Sequence, residues 1–140
     1  MNLGNKFQEW FKAISVYPTG SKYTCTPPVL DTDEDYLVLV EDFNKVYLEL
    51  SESPDWEDCM PSGTEAFKDA YQDEKSYGMS WNAFRHASIN IMVTGDINWY
   101  MASVAATEYC RVHNVQDKAQ RIRIFRNLKY REPLLPGDLP

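Results

Sequence analysis

Four carboxylates in five residues, Asp31, Asp33, Glu34 and Asp35, run without a break into the apolar stretch Tyr36-Leu37-Val38-Leu39-Val40, and a Gly20-Ser21-Lys22 turn precedes them. In extended backbone, residues two apart leave the same side of the chain, so Asp33 and Asp35 can share one divalent cation. A cluster of anions is costly unless a cation answers it, and no basic residue lies between Lys22 and Lys45. Mg²⁺ suits hard carboxylate oxygens and keeps open positions for phosphate oxygens. Gly20 lets backbone approach a phosphate closely, Ser21 adds a hydroxyl donor, and Lys22 adds a positive charge on the same turn. These residue types in this order predict a metal-dependent phosphoryl or nucleotidyl site, with Gly20, Ser21 and Lys22 on the nucleotide and Asp33 and Asp35 on the metal.

Such a site needs a rigid strand beneath it. Residues 36–40 do not alternate between apolar and polar, which predicts a central strand covered on both faces, with the acids at its mouth. Phe7, Trp10, Phe11 and Ile14 fall at helical spacing, so 3–14 reads as an amphipathic helix, followed by a short strand over 15–17. Pro27 and Pro28 limit any helix after Ser21 to about one turn. A helix is expected over 43–50, a loop leading to a short strand over 51–60, and a short helix from the Ser62-x-x-Glu65 capping box to about residue 73. Strands over 80–85 and 88–94 form a hairpin turning near His86-Ala87. Ile89, Ile91 and Val93 share one face of the second strand, so Asn90 projects from the other, either toward the acids or as a hydrogen-bonded core amide. Asp96 caps a helix over 97–113 with Ile97, Tyr100, Met101, Val104, Ala105 and Tyr109 or Cys110 inward. Asn114 suits left-handed backbone, and Asp117 caps a last helix over 118–129 with Ile122, Phe125 and Leu128 or Lys129 inward. The expected fold is α+β (α/β): a small mixed sheet of about four strands, packed helices and a C-terminal helical hairpin. Residues 1–131 form a single domain and 132–140 a Pro-rich tail, extended and either disordered or clamped by a partner.

A Gly-Ser pair, a spacer and a D-x-D entering a hydrophobic strand resemble the nucleotidyltransferase superfamily, the fold of polymerase-beta-like enzymes. More narrowly, Gly-Ser-x-x-Thr-Cys-x-Pro-Pro, Asp-Thr-Asp-Glu-Asp-Tyr, Ile-Asn-Ile-Met-Val-Thr and Asp-Lys-Ala-Gln-Arg-Ile resemble, over roughly residues 5–131, small nucleotidyltransferase-like proteins of tailed bacteriophages. The resemblance implies a minimal nucleotidyltransferase fold, an NTP substrate, Mg²⁺ as cofactor, and a nucleic acid, protein or small-molecule acceptor. It also implies a place in the host cell cytoplasm. Active members carry a third acid in a hydrophobic-acid-hydrophobic pattern on a neighbouring strand; here the segment reads Ile89-Asn90-Ile91. An amide offers a carbonyl oxygen to a metal but takes no proton from an attacking hydroxyl, so Asn90 impairs transfer. The alternative implied is a catalytically inactive member that binds and inhibits or recruits a host or phage protein.

Composition narrows the rest. With 14 basic and 21 acidic residues the net charge is −7, which disfavours a general grip on nucleic acid. Seven of those 14 basic residues lie beyond position 110, giving the last helix either a solvated basic face or a face over the acidic site. Three cysteines without CxxC spacing indicate neither a disulfide framework nor zinc. No stretch approaches the ~20 apolar residues of a membrane helix. P-loop, G-x-G-x-x-G and G-x-S-x-G signals are lacking, and His86 and His113 lack metal-ligand spacing, although His86 lies near Asn90. An EF-hand loop from Asp31 fails because its sixth position is Tyr36 rather than glycine.

Overall fold

The computed structural model describes residues 12–28, 33–60 and 80–139. Most of the expected 3–14 helix, Asp31, and the expected helix near 64–73 lie outside the described residues. The elements in chain order are β1 (Ala13–Thr19), α1 (Ser21–Thr24), β2 (Glu34–Val40), α2 (Phe43–Glu52), β3 (Glu57–Asp58), β4 (Trp81–His86), β5 (Ile89–Thr94), α3 (Ile97–Val112) and α4 (Lys118–Tyr130). The fold is α+β, with a five-stranded mixed sheet in the order β1-β2-β5-β4-β3. β2 and β5 run parallel, and the other neighbours are antiparallel. Among the described residues no helix is long and apolar enough to cross a membrane.

The unbroken apolar run of β2 is explained by its place. On one face Val38 and Val40 join Phe84, Ile91 and Val93 under Val46 and Leu50 of α2. On the other, Leu37 and Leu39 join Trp81 and Ala83 under Trp99 and Tyr100 of α3. Asp42 starts α2 by accepting from the Lys45 amide at 3.2 Å. A third cluster, Ala106, Cys110, Val115 and Ile124, holds α3 against α4. Cys25, Cys59 and Cys110 are buried.

Several boundaries differ from expectation. Ala13 and Ile14, assigned to the end of a helix, are strand, because β1 pairs along β2 from Ala13↔Val40 to Thr19↔Asp35. Pro18 is tolerated inside β1 because β1 is an edge strand. The hairpin turns at Ala87-Ser88, one residue later than expected. The inward stripe of α3 is rotated: Trp99, Tyr100, Ser103, Ala106, Thr107 and Cys110 are buried, while Ile97 and Met101 are exposed. Ser103 and Thr107 can be buried because their hydroxyls donate to the Trp99 and Ser103 carbonyls at 2.9 and 2.8 Å.

On α4 the fully buried position is Ile124, and Lys129 rather than Leu128 turns inward. Its ammonium lies 4.9 Å from the Trp99 ring and 5.2 Å from that of Tyr130, where the aromatic faces offset its charge. The tail is folded back on its own helix. Arg123 donates to both oxygens of buried Asp138, and Arg126 pairs with Glu132. Asp117 and Asp96 cap α4 and α3 as expected, and Asn114 has φ 48°.

Two leucines on α2 test this arrangement. Leu50 is buried and Leu48 is 57% exposed. Leu50→Ala should cost about 2–5 kcal/mol in urea unfolding and Leu48→Ala less than about 0.5 kcal/mol; equal costs would mean that α2 presents a different side to the sheet.

Candidate active site

At one end of the sheet the registers align residues from all five strands: Thr19↔Asp35, Asp35↔Asn90, Asn90↔Arg85 and Arg85↔Glu57. Side chains opposite each other in a ladder share a face, so this polar rung lies on the face that α3 covers further along. The rungs behind it are apolar, beginning with Leu37 and Met92. Thr19 ties the rung to α3 through a buried hydroxyl pair with Thr107 at 2.7 Å.

Gly20 follows Thr19 with φ 78° and ψ 173°, a conformation open to glycine. A Cβ there would sit 2.1 Å from Asp35 Oδ2. Glycine is thus required twice, for its backbone angles and because its Cα rests on the carboxylate of Asp35. The Tyr23 and Thr24 amides close the one-turn α1 on the Gly20 carbonyl at 3.1 and 2.9 Å. Beyond it, Thr26 and Asn114 exchange hydrogen bonds of 2.7 and 2.9 Å that staple the loop to the α3–α4 junction. Ser21 and Lys22 are half-buried on α1, directly after the glycine that touches Asp35.

Asn90 donates through Nδ2 to Asp35 Oδ1 at 3.1 Å. Arg85 Nη2 lies 3.1 Å from Asp33 Oδ2, with both side chains partly exposed. Burial pushes the Asp35 carboxyl up to about 6; the Asn90 hydrogen bond opposes this, the Asp33 charge adds to it, and the positive charges of Arg85 and Lys118 oppose it. The expectation that the acids have no cation of their own therefore changes. Their sequence neighbours supply none, but the fold brings Arg85 from β4 and Lys118 from the first turn of α4.

The sequence-predicted residues Gly20, Asp35 and Asn90 come together in contact. Asp33 joins them through Arg85 and through its charge on Asp35. Arg85 escaped the sequence reading, although a signal existed: once the two-residue hairpin turn is fixed, Arg85 must face Asn90. His86 points to the opposite face and bonds the Asp55 carbonyl at 2.6 Å. Arg121, Arg123 and Arg126 are bound to carbonyls or tail carboxylates, so the basic face of α4 is largely consumed within the chain.

For a divalent cation, Asp33 and Asp35 supply hard oxygens, two carboxylates being the number Mg²⁺ commonly takes alongside phosphates and water. One oxygen of each carries a hydrogen bond or ion pair to Asn90 or Arg85, and the second oxygens bear neither bond. Among the described residues no group of three or more His, Cys, Asp or Glu gathers at one point. An open groove of about 670 Å³ lined by Lys12, Asp42, Phe43, Lys45 and Glu49 also reaches Val40, roughly 17 Å along β2 from Asp35.

Since Asp35 is more easily protonated in the folded state than its ordinary value of 3.8, the folded chain binds extra proton between about pH 4 and 6. Stability contributed by neutral Asp35 is present below that window and lost as pH rises through it. In metal-free buffer Asp35→Asn should match wild type near pH 4 and exceed it by on the order of 2 kcal/mol at pH 7, allowing for partial exposure. A difference that stays flat across the window in urea titrations would show that Asp35 is not held out of water. No family model, curated protein or solved structure matches the chain.

Proposed function

We propose that the polar end of the sheet is a nucleotidyltransferase-type site. It binds an NTP with Mg²⁺ and transfers the nucleotidyl group to an acceptor, whether a nucleic acid, a protein or a small molecule. The observation that carries the reading is that Gly20 and Asn90, from two other segments of the chain, both meet the carboxylate of Asp35. The resemblance to phage nucleotidyltransferase-like proteins supports a phage protein acting in the host cytoplasm.

The roles follow from chemistry. Gly20 lets a phosphate approach the backbone, Ser21 donates its hydroxyl, and Lys22 neutralises charge. Asp33 and Asp35 would hold the cation, and bound Mg²⁺ supplies Lewis-acid stabilisation of charge on the phosphoryl oxygens. Asn90 fixes the orientation of Asp35 through their hydrogen bond. It accepts no proton, so the general-base contribution of about 10²–10⁴ available to an acid at that position is forgone.

That loss favours a second reading, a catalytically silent protein that binds the nucleotide and works by inhibiting or recruiting a host or phage protein. The two separate in one experiment, Mg²⁺-dependent incorporation of α-labelled NTP into host lysate by wild type and by Asp33→Asn/Asp35→Asn. Signal lost in the double variant means transfer; equal behaviour of the two proteins removes the enzymatic reading. Asn90→Asp should tighten Mg²⁺ binding about tenfold by adding an anion beside Asp35 and raise any incorporation. Calorimetry giving unchanged or weaker Mg²⁺ binding would remove position 90 from the metal's surroundings.

A further inference from the structure

Arg85 faces Asn90 across the β4–β5 ladder, and Asn90 faces Asp35 across the β5–β2 ladder. Its guanidinium meets Asp33 end-on through Nη2 at 3.1 Å. Its Nε is shielded from water and has no hydrogen-bond partner among the described residues. A guanidinium is a planar fork of five donors, suited to two-pronged contact with carboxylate or phosphate. This one is mostly unspent. A shielded donor without an acceptor is unfavourable, and an incoming anionic oxygen would relieve it. The bond to Asp33 is also readily exchanged, since the side chains of Arg85 and Asp33 are 41% and 33% exposed. Lys118 adds a second positive charge within electrostatic reach of Asp35.

Asp33 therefore has two competing partners, the guanidinium and the cation of the nucleotide site, on which this inference rests. We propose that Arg85 is an anion-contact residue that holds Asp33 in the unliganded protein and turns to a phosphate of a bound nucleoside triphosphate, freeing Asp33 for the cation. The polyphosphate is then gripped even without metal. Cation and polyphosphate bind with positive coupling, each raising the affinity of the other by the same factor.

Calorimetry on the full chain tests this with two separate probes, Mg²⁺ alone and an α,β-methylene adenosine triphosphate in EDTA. Arg85→Met should bind Mg²⁺ alone about five- to tenfold tighter than wild type, because a competing charge is gone. The same variant should bind the metal-free triphosphate at least about tenfold more weakly. Undiminished binding of metal-free triphosphate by Arg85→Met would reduce Arg85 to a counter-ion of Asp33 and overturn the proposal. Wild type that binds triphosphate only with Mg²⁺ overturns it too, but leaves the nucleotide site standing. Wild type that binds no triphosphate under either condition overturns the site itself. Should Arg85→Met fail to fold, Arg85→Lys carries the test. It keeps the charge and loses the fork, so metal-free triphosphate binding should weaken several-fold, and unweakened binding overturns the proposal.

Discussion

The contact between Gly20 and Asp35 governs this end of the molecule. A carboxylate is held against a glycine Cα, beside an amide, where water reaches it poorly. The desolvation is unfavourable for the ionised form. Every neighbour can be read by how it answers that penalty: Asn90 by a hydrogen bond, Arg85 and Lys118 by charge, and Asp33 by making it worse. Proteins retain such penalties mainly where function requires them.

The remainder of the sheet isolates the rung. Two residues further along β2, β5 and β4 the same face turns apolar at Leu37, Met92 and Ala83, and α3 covers it with Trp99 and Tyr100, with Lys129 of α4 over the Trp99 ring. The site therefore lies at a rim where a low-dielectric core meets solvent. Electrostatic interactions there are stronger than in bulk water, yet the groups remain reachable. The stapling of Thr26 to Asn114 matters for the same reason, since it ties the loop after Gly20 to the helical layer rather than leaving one turn of α1 to hold it.

Much of this was legible in the chain. The unbroken apolar run of β2, the alternation of β5, and the caps Asp96 and Asp117 are local signals, and each element stands close to where its pattern puts it. The glycine beside the acids was legible as chemistry, though its contact with Asp35 was not, because no local rule fixes which residues of two strands meet. The misread α3 stripe has a different cause. Hydrophobicity scales treat Ser103 and Thr107 as surface residues, but a helix lets their hydroxyls bond the preceding turn and become buried. Counter-charge was invisible for the opposite reason: Arg85 lies 50 residues beyond Asp35 and reaches the cluster only through the order of the sheet. The tail ion pairs likewise depend on a chain reversal after α4, at Arg131 with φ 60°.

Asn90 and Arg85 are best understood as one solution. An acid at position 90 would stand directly beside Asp35, and two carboxylates sharing a partly dry site cannot both ionise cheaply. With Asp33 close by, a single guanidinium would face three anions, and the fold would lean on a bound cation to keep that rim intact. An amide removes one of the anions and donates a hydrogen bond to another. The guanidinium then pairs with Asp33 through Nη2, while its Nε stays without a hydrogen-bond partner among the described residues. The same exchange lowers the attraction for a divalent ion and raises that for an anion.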